Sequence, residues 1–272
     1  MDKEQSIISN FANKLNGDDG AVIGNVVYSK DMFVEDIHFK SHWLSPRQIG
    51  IKAMMVNLSD AVAMNATPRY ALLGLGLPRN LSSKYIKELS NGLKEAASQF
   101  DTQIIGGDTI SSDKLIISLT IISYLNAKNP LSRYGAKVGD IVCYTGDLGG
   151  SLKGLRTLLN NGKIGANSRF VRPNLRFEFT KRSAKWLRSG MDISDGLASD
   201  LVKITQNRGV KFNKKLSKIE FISAEEYEML IAVPPRNIKR VLNQAKICRV
   251  KLNILGKIIN ERAKFHGKFS HF

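Results

Sequence analysis

The residues best suited to chemistry are aspartates in short motifs flanked by Gly, Asn or Ser. The sharpest is Met191-Asp-Ile-Ser-Asp-Gly196. Its two carboxylates and hydroxyl are spaced to converge at the start of a predicted helix, Leu197–Gln206. Helix capping accounts for Ser194 or Asp195, but not for both aspartates. Asp192 and Asp195 suit Mg²⁺ ions that bridge phosphate oxygens. Asn57-Leu-Ser-Asp60 lies inside an otherwise apolar predicted helix. An unpaired buried carboxylate is costly, so Asp60 must face solvent, a partner or a metal. Asn16-Gly-Asp-Asp-Gly20 and the Ser29/Asp31 pair offer further oxygen ligands, although the first alone reads equally well as a turn. Ile104-Ile-Gly-Gly-Asp-Thr109 and Tyr144-Thr-Gly-Asp-Leu-Gly-Gly-Ser151 both read as glycine-rich turns after strands, able to cradle phosphate. His38 is a candidate phosphate contact or base; a lone histidine is more often a packing residue.

Positioning these motifs needs alternating strands and helices. The pattern predicts strands over Ala21–Ser29, Met32–Phe39, Tyr70–Leu77, Thr102–Ile105, Leu115–Leu125 and Asp140–Thr145. It predicts helices over Ser45–Met64, Ser82–Phe100 and near Arg176–Ser189, with another ending at Leu159. The polar stretch around Asn126–Tyr134 is the best domain boundary. The class is mixed α/β in two domains.

With 272 residues, the chain is long enough for two ordinary domains. Its polar N-terminus and lack of a long apolar run argue against a secretory leader or a membrane span. Cys143 and Cys248 are far apart, which argues against a disulfide framework or zinc site and fits a reducing cytoplasm. The net charge is +17, of which residues 136–272 carry +16. The basic residues are scattered singly, so a solvated surface is preferred to a nucleic-acid-binding face. No P-loop, protein-kinase signature, GxSxG elbow or HExxH motif occurs.

In order, the motifs resemble those of thiamine-monophosphate kinases, in the superfamily of aminoimidazole ribonucleotide synthetase and selenophosphate synthetase. The resemblance runs from Gly17-Asp-Asp-Gly-Ala through Val34-Glu-Asp-Ile-His-Phe39, Val56-Asn-Leu-Ser-Asp60, Gly106-Gly-Asp-Thr109, Arg133-Tyr-Gly-Ala-Lys-Val-Gly-Asp140, Arg172-Pro173, Asp192-Ile-Ser-Asp-Gly196 and Glu225-Glu-Tyr-Glu-Met-Leu230 to Gly267-Lys-Phe-Ser-His-Phe272. It implies a two-domain aminoimidazole ribonucleotide synthetase-like fold. Residues 1–130 would bind ATP and Mg²⁺ and pair in a dimeric β-barrel, and residues 131–272 would form a C-terminal α/β domain. It implies a cytoplasmic homodimeric phosphotransferase that moves the ATP γ-phosphate to thiamine monophosphate. Asp19, Ser29, Asp31, Asp60, Asp108, Asp192 and Asp195 would hold several Mg²⁺ ions. Phe100, Gly107, Asp108, Arg133 and Ser194 would contact ATP, and His38, Glu225 and Phe269 the acceptor. Arg133, Asp192 and Asp195 would carry the catalysis.

The chain departs from the family pattern in two places. Lys30 stands where threonine is usual, and a lysine there would replace one cation with its own charge. Ser223-Ala224 replaces Gly-Gly before the Glu-Glu-Tyr-Glu motif, in which Glu226 stands where aspartate is usual, after a shortened segment. Alternatives are another ATP-dependent enzyme of the superfamily, a non-catalytic homologue, or a nucleic-acid-binding basic protein. The absence of any cysteine before Cys143 argues against selenophosphate synthetase.

Overall fold

The computed structural model describes residues 3–264. Helix α1 (Lys3–Asn10) precedes the hairpin β1 (Ala21–Ile23) and β2 (Val26–Val34). Next come α2 (Pro46–Ala63), β3 (Ala66–Leu77), α3 (Ser83–Ser98), β4 (Gln103–Ser111) and β5 (Ile116–Leu125). These strands form one sheet in the order β1-β2-β5-β3-β4, in which only β3 and β4 run parallel, joined through α3. The chain continues through β6 (Ile141–Thr145), α4 (Gly150–Leu159), α5 (Phe177–Ser183), β7 (Ser189–Asp192), α6 (Leu197–Ile204) and β8 (Arg208–Phe212). It closes with α7 (Lys218–Ile222), β9 (Met229–Val233), α8 (Ile238–Ile247) and β10 (Leu252–Arg262). Their strands form a second, antiparallel sheet in the order β7-β9-β6-β10-β8.

Helix α2 organises both halves. Ser45 caps it in a reciprocal capping box with Gln48, and Pro46 fits the first turn, where its missing N–H costs nothing. From Ile49 to Ala63 only Asp60 escapes full burial, which marks a helix enclosed on all sides rather than a surface amphipathic one. It packs on the first sheet, on α3, and on β7 and α5 of the second half. The cores therefore cross the expected boundary. Phe170 and Val171 join the cluster around Leu58 and Ile117, while Val62 and Ala63 join the cluster around Phe179 and Ile231.

Two sequence expectations change. β2 runs unbroken through Lys30, because Gly24 (φ +63°) makes the turn earlier. β4 does not stop at Ile105 but continues through Gly106-Gly-Asp-Thr109, so this motif is part of a parallel edge strand, not a turn. Gly107 allows that pairing: at φ +150°, a Cβ would lie 1.8 Å from the Leu73 carbonyl oxygen.

Helices α2 and α3 cross at Gly50 and Gly92. A Cβ on Gly92 would sit 2.0 Å from the Arg47 carbonyl oxygen, and one on Gly50 would sit 2.3 Å from that of Leu89. Gly92→Ala must push the helices apart. It is expected to lower the unfolding free energy by about 1–3 kcal/mol, measured by urea denaturation.

Candidate functional site

Three carboxylates arrive from three places. Asp19 comes from the loop before β1, Asp60 from the last turn of α2 and Asp192 from the end of β7. Each offers an oxygen within 4.8 Å of the others. The Asp19 loop is fixed from the other half of the chain. Asp18 accepts hydrogen bonds from the Ser132 hydroxyl and, at 3.1 Å, from the Arg133 N–H, while the Arg133 guanidinium pairs with Asp19. Tyr134 adds a 2.5 Å hydrogen bond to the Gly17 carbonyl. Asp192 accepts from the Ser59 hydroxyl at 2.5 Å, so α2 meets the second sheet at the site itself. Asn57, in turn, accepts from the Asp31 N–H at 3.0 Å and holds β2 against the same helix.

Gathering these charges out of water makes ionisation unfavourable. Burial pushes Asp19 up to about 8, opposed by Arg133 and reinforced by Asp192 and Asp18. Burial, then repulsion from Asp31, Asp192 and Asp19, raises Asp60 well above the carboxylate range. Burial also raises Asp192, with the Ser59 hydrogen bond pulling it back. Two buried oxygens, Asp19 Oδ2 and Ser29 Oγ, have no hydrogen-bond partner. Converging carboxylates with unsatisfied oxygens beside them fit a hard divalent cation.

The other candidate residues are distributed around this group. Asp31 is close enough to Asp60 to disfavour its ionisation. Asp195 is ion-paired to Lys203, which is also 3.0 Å from buried Asp200. The Ser194 carbonyl accepts from the Glu225 N–H at 2.7 Å. Gly107 and Asp108 lie on edge strand β4, with Asp108 in register with Gly74 and exposed. His38 uses Nδ1 to accept from the Val34 N–H at 3.0 Å, with its ring 5.4 Å from that of Phe33. Phe100 meets Phe177 edge-on in a groove of about 660 Å³ that Arg69 and Arg176 also line. Phe269 lies outside the described residues.

Lys30 does not stand in for a cation. Alternation along β2 turns it to the sheet's exposed side, where its amine donates to Ser118 Oγ at 2.5 Å, while Ser29 is buried on the α2 side. The glycine-rich turn before α4 is already occupied by an internal anion. The Glu226 carboxylate accepts from the Gly149 and Ser151 N–H groups at 2.8 and 3.0 Å. Ser223, one of the two departures from the family pattern, donates its hydroxyl to the same carboxylate at 2.5 Å. Sequence reasoning missed Asp18, Ser132, Ser59 and Asn57 as positioning groups. The Asn57-Leu-Ser-Asp60 spacing held a signal, since residues two or three positions apart serve different neighbours of an enclosed helix.

Fold and site define a class before a family. Residues 17–125 match the family described as AIR synthase related protein, N-terminal domain. A solved structure of AaThiL complexed with AMPPCP and TMP superposes with a TM-score of 0.84 and 26% identity, covering 96% of this chain and 91% of that one. A HypE–HypF complex, at 17% identity and a TM-score of 0.81, shares the fold.

Among sequences, the thiamine-monophosphate kinase of Buchnera aphidicola subsp. Schizaphis graminum is 32% identical over 89% of this chain and 83% of its own length. That of Bacillus subtilis is 37% identical over 65% of this chain and 57% of its own length. The chain belongs to the thiamine-monophosphate kinase family.

The raised carboxyls set a pH dependence. Without metal, folded Asp19 holds a proton that the unfolded chain releases above its ordinary 3.8. The associated stability is complete below that value and is lost as pH rises through about 8. A bound divalent cation offsets this loss. The Tm difference between magnesium-loaded and chelator-treated protein should therefore widen from about pH 6 to about pH 9 in scanning calorimetry. A constant difference would contradict the assignment.

Proposed function

We propose that this chain transfers the γ-phosphate of ATP to thiamine monophosphate, giving thiamine diphosphate and ADP by direct in-line transfer. The observation that carries this reading is the convergence of partly buried Asp19 and Asp60 on buried Asp192, fixed by Ser59 and Arg133, in a chain of this family. Two phosphate-bearing substrates repel each other, and acidic residues alone would worsen that. Magnesium ions held there would supply the positive charge that offsets the repulsion. Asp19, Asp60 and Asp192 would hold them together with Ser29 and Asp31, and Asp108 and Asp195 would add ligands.

The chain's own groups supply orientation. Arg133 stays charged at any working pH and would neutralise the transferring oxygens. Gly107, Asp108, Ser194 and Phe100 would contact the nucleotide, and His38, Glu225 and Phe269 the acceptor. No general base is needed, because the attacking phosphate oxygen is largely ionised near neutral pH. Residues 1–130 would form the ATP- and magnesium-binding half and residues 131–272 the C-terminal α/β half of a cytoplasmic enzyme. Among the described residues no helix is long and apolar enough to cross a membrane. The scattered basic surface is read as solvated rather than as a site for nucleic acid.

A second copy would cover the outer face of the first sheet. Tyr28, Met32, Tyr70, Leu72 and Tyr124 are all more than a third exposed there. Register aligns Tyr28, Ile122 and Tyr70 in one row and Lys30, Thr120 and Leu72 in the next. A patch of this kind on an open sheet is a natural pairing surface.

Purified protein with ATP, Mg²⁺ and thiamine monophosphate should form thiamine diphosphate, followed by chromatography; no product in excess metal would refute the reading. Asp192→Asn should lower kcat by roughly 100-fold or more while the far-ultraviolet circular dichroism stays unchanged. Light scattering should report a dimer, and Leu72→Glu should shift it toward monomer.

A further inference from the structure

Lys52 is the only lysine in the buried interior among the described residues. It projects from the middle of α2, seven residues before Ser59, so two turns separate them on one helical face. Both side chains reach across to the second half of the chain. The Ser59 hydroxyl donates to Asp192, and the Lys52 ammonium donates to Glu225 Oε2 at 2.7 Å. The ammonium also lies 3.3 Å from the Phe170 ring centroid and 5.7 Å from that of Phe33. An apolar residue would fill this space without the cost of desolvating a charge, so the amine must serve its carboxylate partner.

Glu225 occupies an unusual position. Its φ of +56° is left-handed, a conformation that persists in a non-glycine residue when the surroundings dictate it. Its N–H is bound to the Ser194 carbonyl at 2.7 Å, and the Tyr227 N–H is bound to that of Ile193 at 2.9 Å. Residue 225 is thus attached to the loop that carries Asp192 and Asp195. Its side chain remains 22% exposed, while its partner lysine is 1% exposed. The buried Tyr227 phenol is within reach of both this carboxylate and the acidic site: burial first, then Glu225, Asp31, Asp192 and Asp60, raises it.

From this geometry we infer that Lys52 is a positioning residue. It fixes the Glu225 carboxylate at the rim of the acidic site, where Glu225 meets the phosphate acceptor and not the nucleotide. The inference rests on the proposed kinase reaction with Glu225 as an acceptor contact. Phe170 and Phe33 desolvate the ammonium, leaving Glu225 as its one ionic partner among the described residues and fixing the direction of the carboxylate.

The test compares Lys52→Met, which keeps length and ring contact but removes the charge, with Lys52→Arg and Glu225→Gln. In steady-state kinetics Lys52→Met should raise the KM for thiamine monophosphate by roughly 10-fold or more, with the KM for ATP and kcat within about threefold. Lys52→Arg should recover part of the loss. The double variant Lys52→Met/Glu225→Gln should be no worse than the more impaired single variant. Equal changes in both KM values, or a lower Tm with unchanged kinetics, would overturn the inference. Should Lys52→Met not fold, Glu225→Gln and Lys52→Arg carry the same comparison.

If the wild-type protein forms no thiamine diphosphate, the reaction itself is wrong, and amide exchange still tests the positioning. The Glu225 and Tyr227 amides should then exchange roughly 10-fold faster in Lys52→Met than in wild type, with α3 unchanged and Lys52→Arg in between. Unchanged exchange at those amides would overturn it.

Discussion

The desolvation and mutual repulsion of three converging carboxylates, Asp192 buried and Asp19 and Asp60 partly so, is the constraint around which the rest of the structure is arranged. Asp19, Asp60 and Asp192 share a space in which Asp192 makes ionisation of Asp19 harder and both make that of Asp60 harder. No hydrophobic gain comes from placing them there. They remain together because each is held by an element fixed for other reasons: a loop clasped by Ser132 to Tyr134, an enclosed helix, and a buried edge strand of the second sheet. A folded state that tolerates such a cluster is one arranged for a cation and phosphates rather than for maximum stability.

The enclosed helix is the mechanical link. α2 carries Lys52, Asn57, Ser59 and Asp60, and these reach Glu225, the Asp31 amide, Asp192 and the acidic centre respectively. Its burial on every side leaves it little freedom to slide or rotate, since any shift would move apolar groups out of register on several neighbours at once. The glycine contacts at the crossing with α3 set its distance from that neighbour. Geometry at the site is thus inherited from packing far from it.

Internal anions and cations are matched elsewhere in the second half. Glu228, fully buried, is held by Arg169, by Arg176 and by the Thr145 hydroxyl at 2.6 Å. Gly146 makes room for it, because a Cβ there would lie 2.0 Å from a Glu228 oxygen. Glu226 satisfies the helix amides that a glycine-rich turn leaves open. Much of the acidic Glu225–Glu228 motif is therefore structural, and Glu225 is the carboxylate of it whose backbone is tied to the Asp192–Asp195 segment.

Local sequence determined the elements and the chemistry. Ser45-Pro46 began a helix, apolar runs made strands, and aspartates set among small residues indicated oxygen ligands for metal and phosphate. These follow from short-range rules: capping, side-chain periodicity and the cost of burying an unpaired charge. Local sequence did not decide which aspartates meet. Asp19, Asp60 and Asp192 are far apart along the chain, and their approach depends on packing between the two halves. Nor did it decide that Gly106-Gly-Asp108 is edge strand rather than turn, that Lys30 faces away from the acids, or that Glu226 fills the turn before α4. Each of those depends on a partner distant in sequence — Leu73, Ser118 and the Gly149 and Ser151 amides — and only tertiary packing brings such partners within reach of a hydrogen bond or a steric clash.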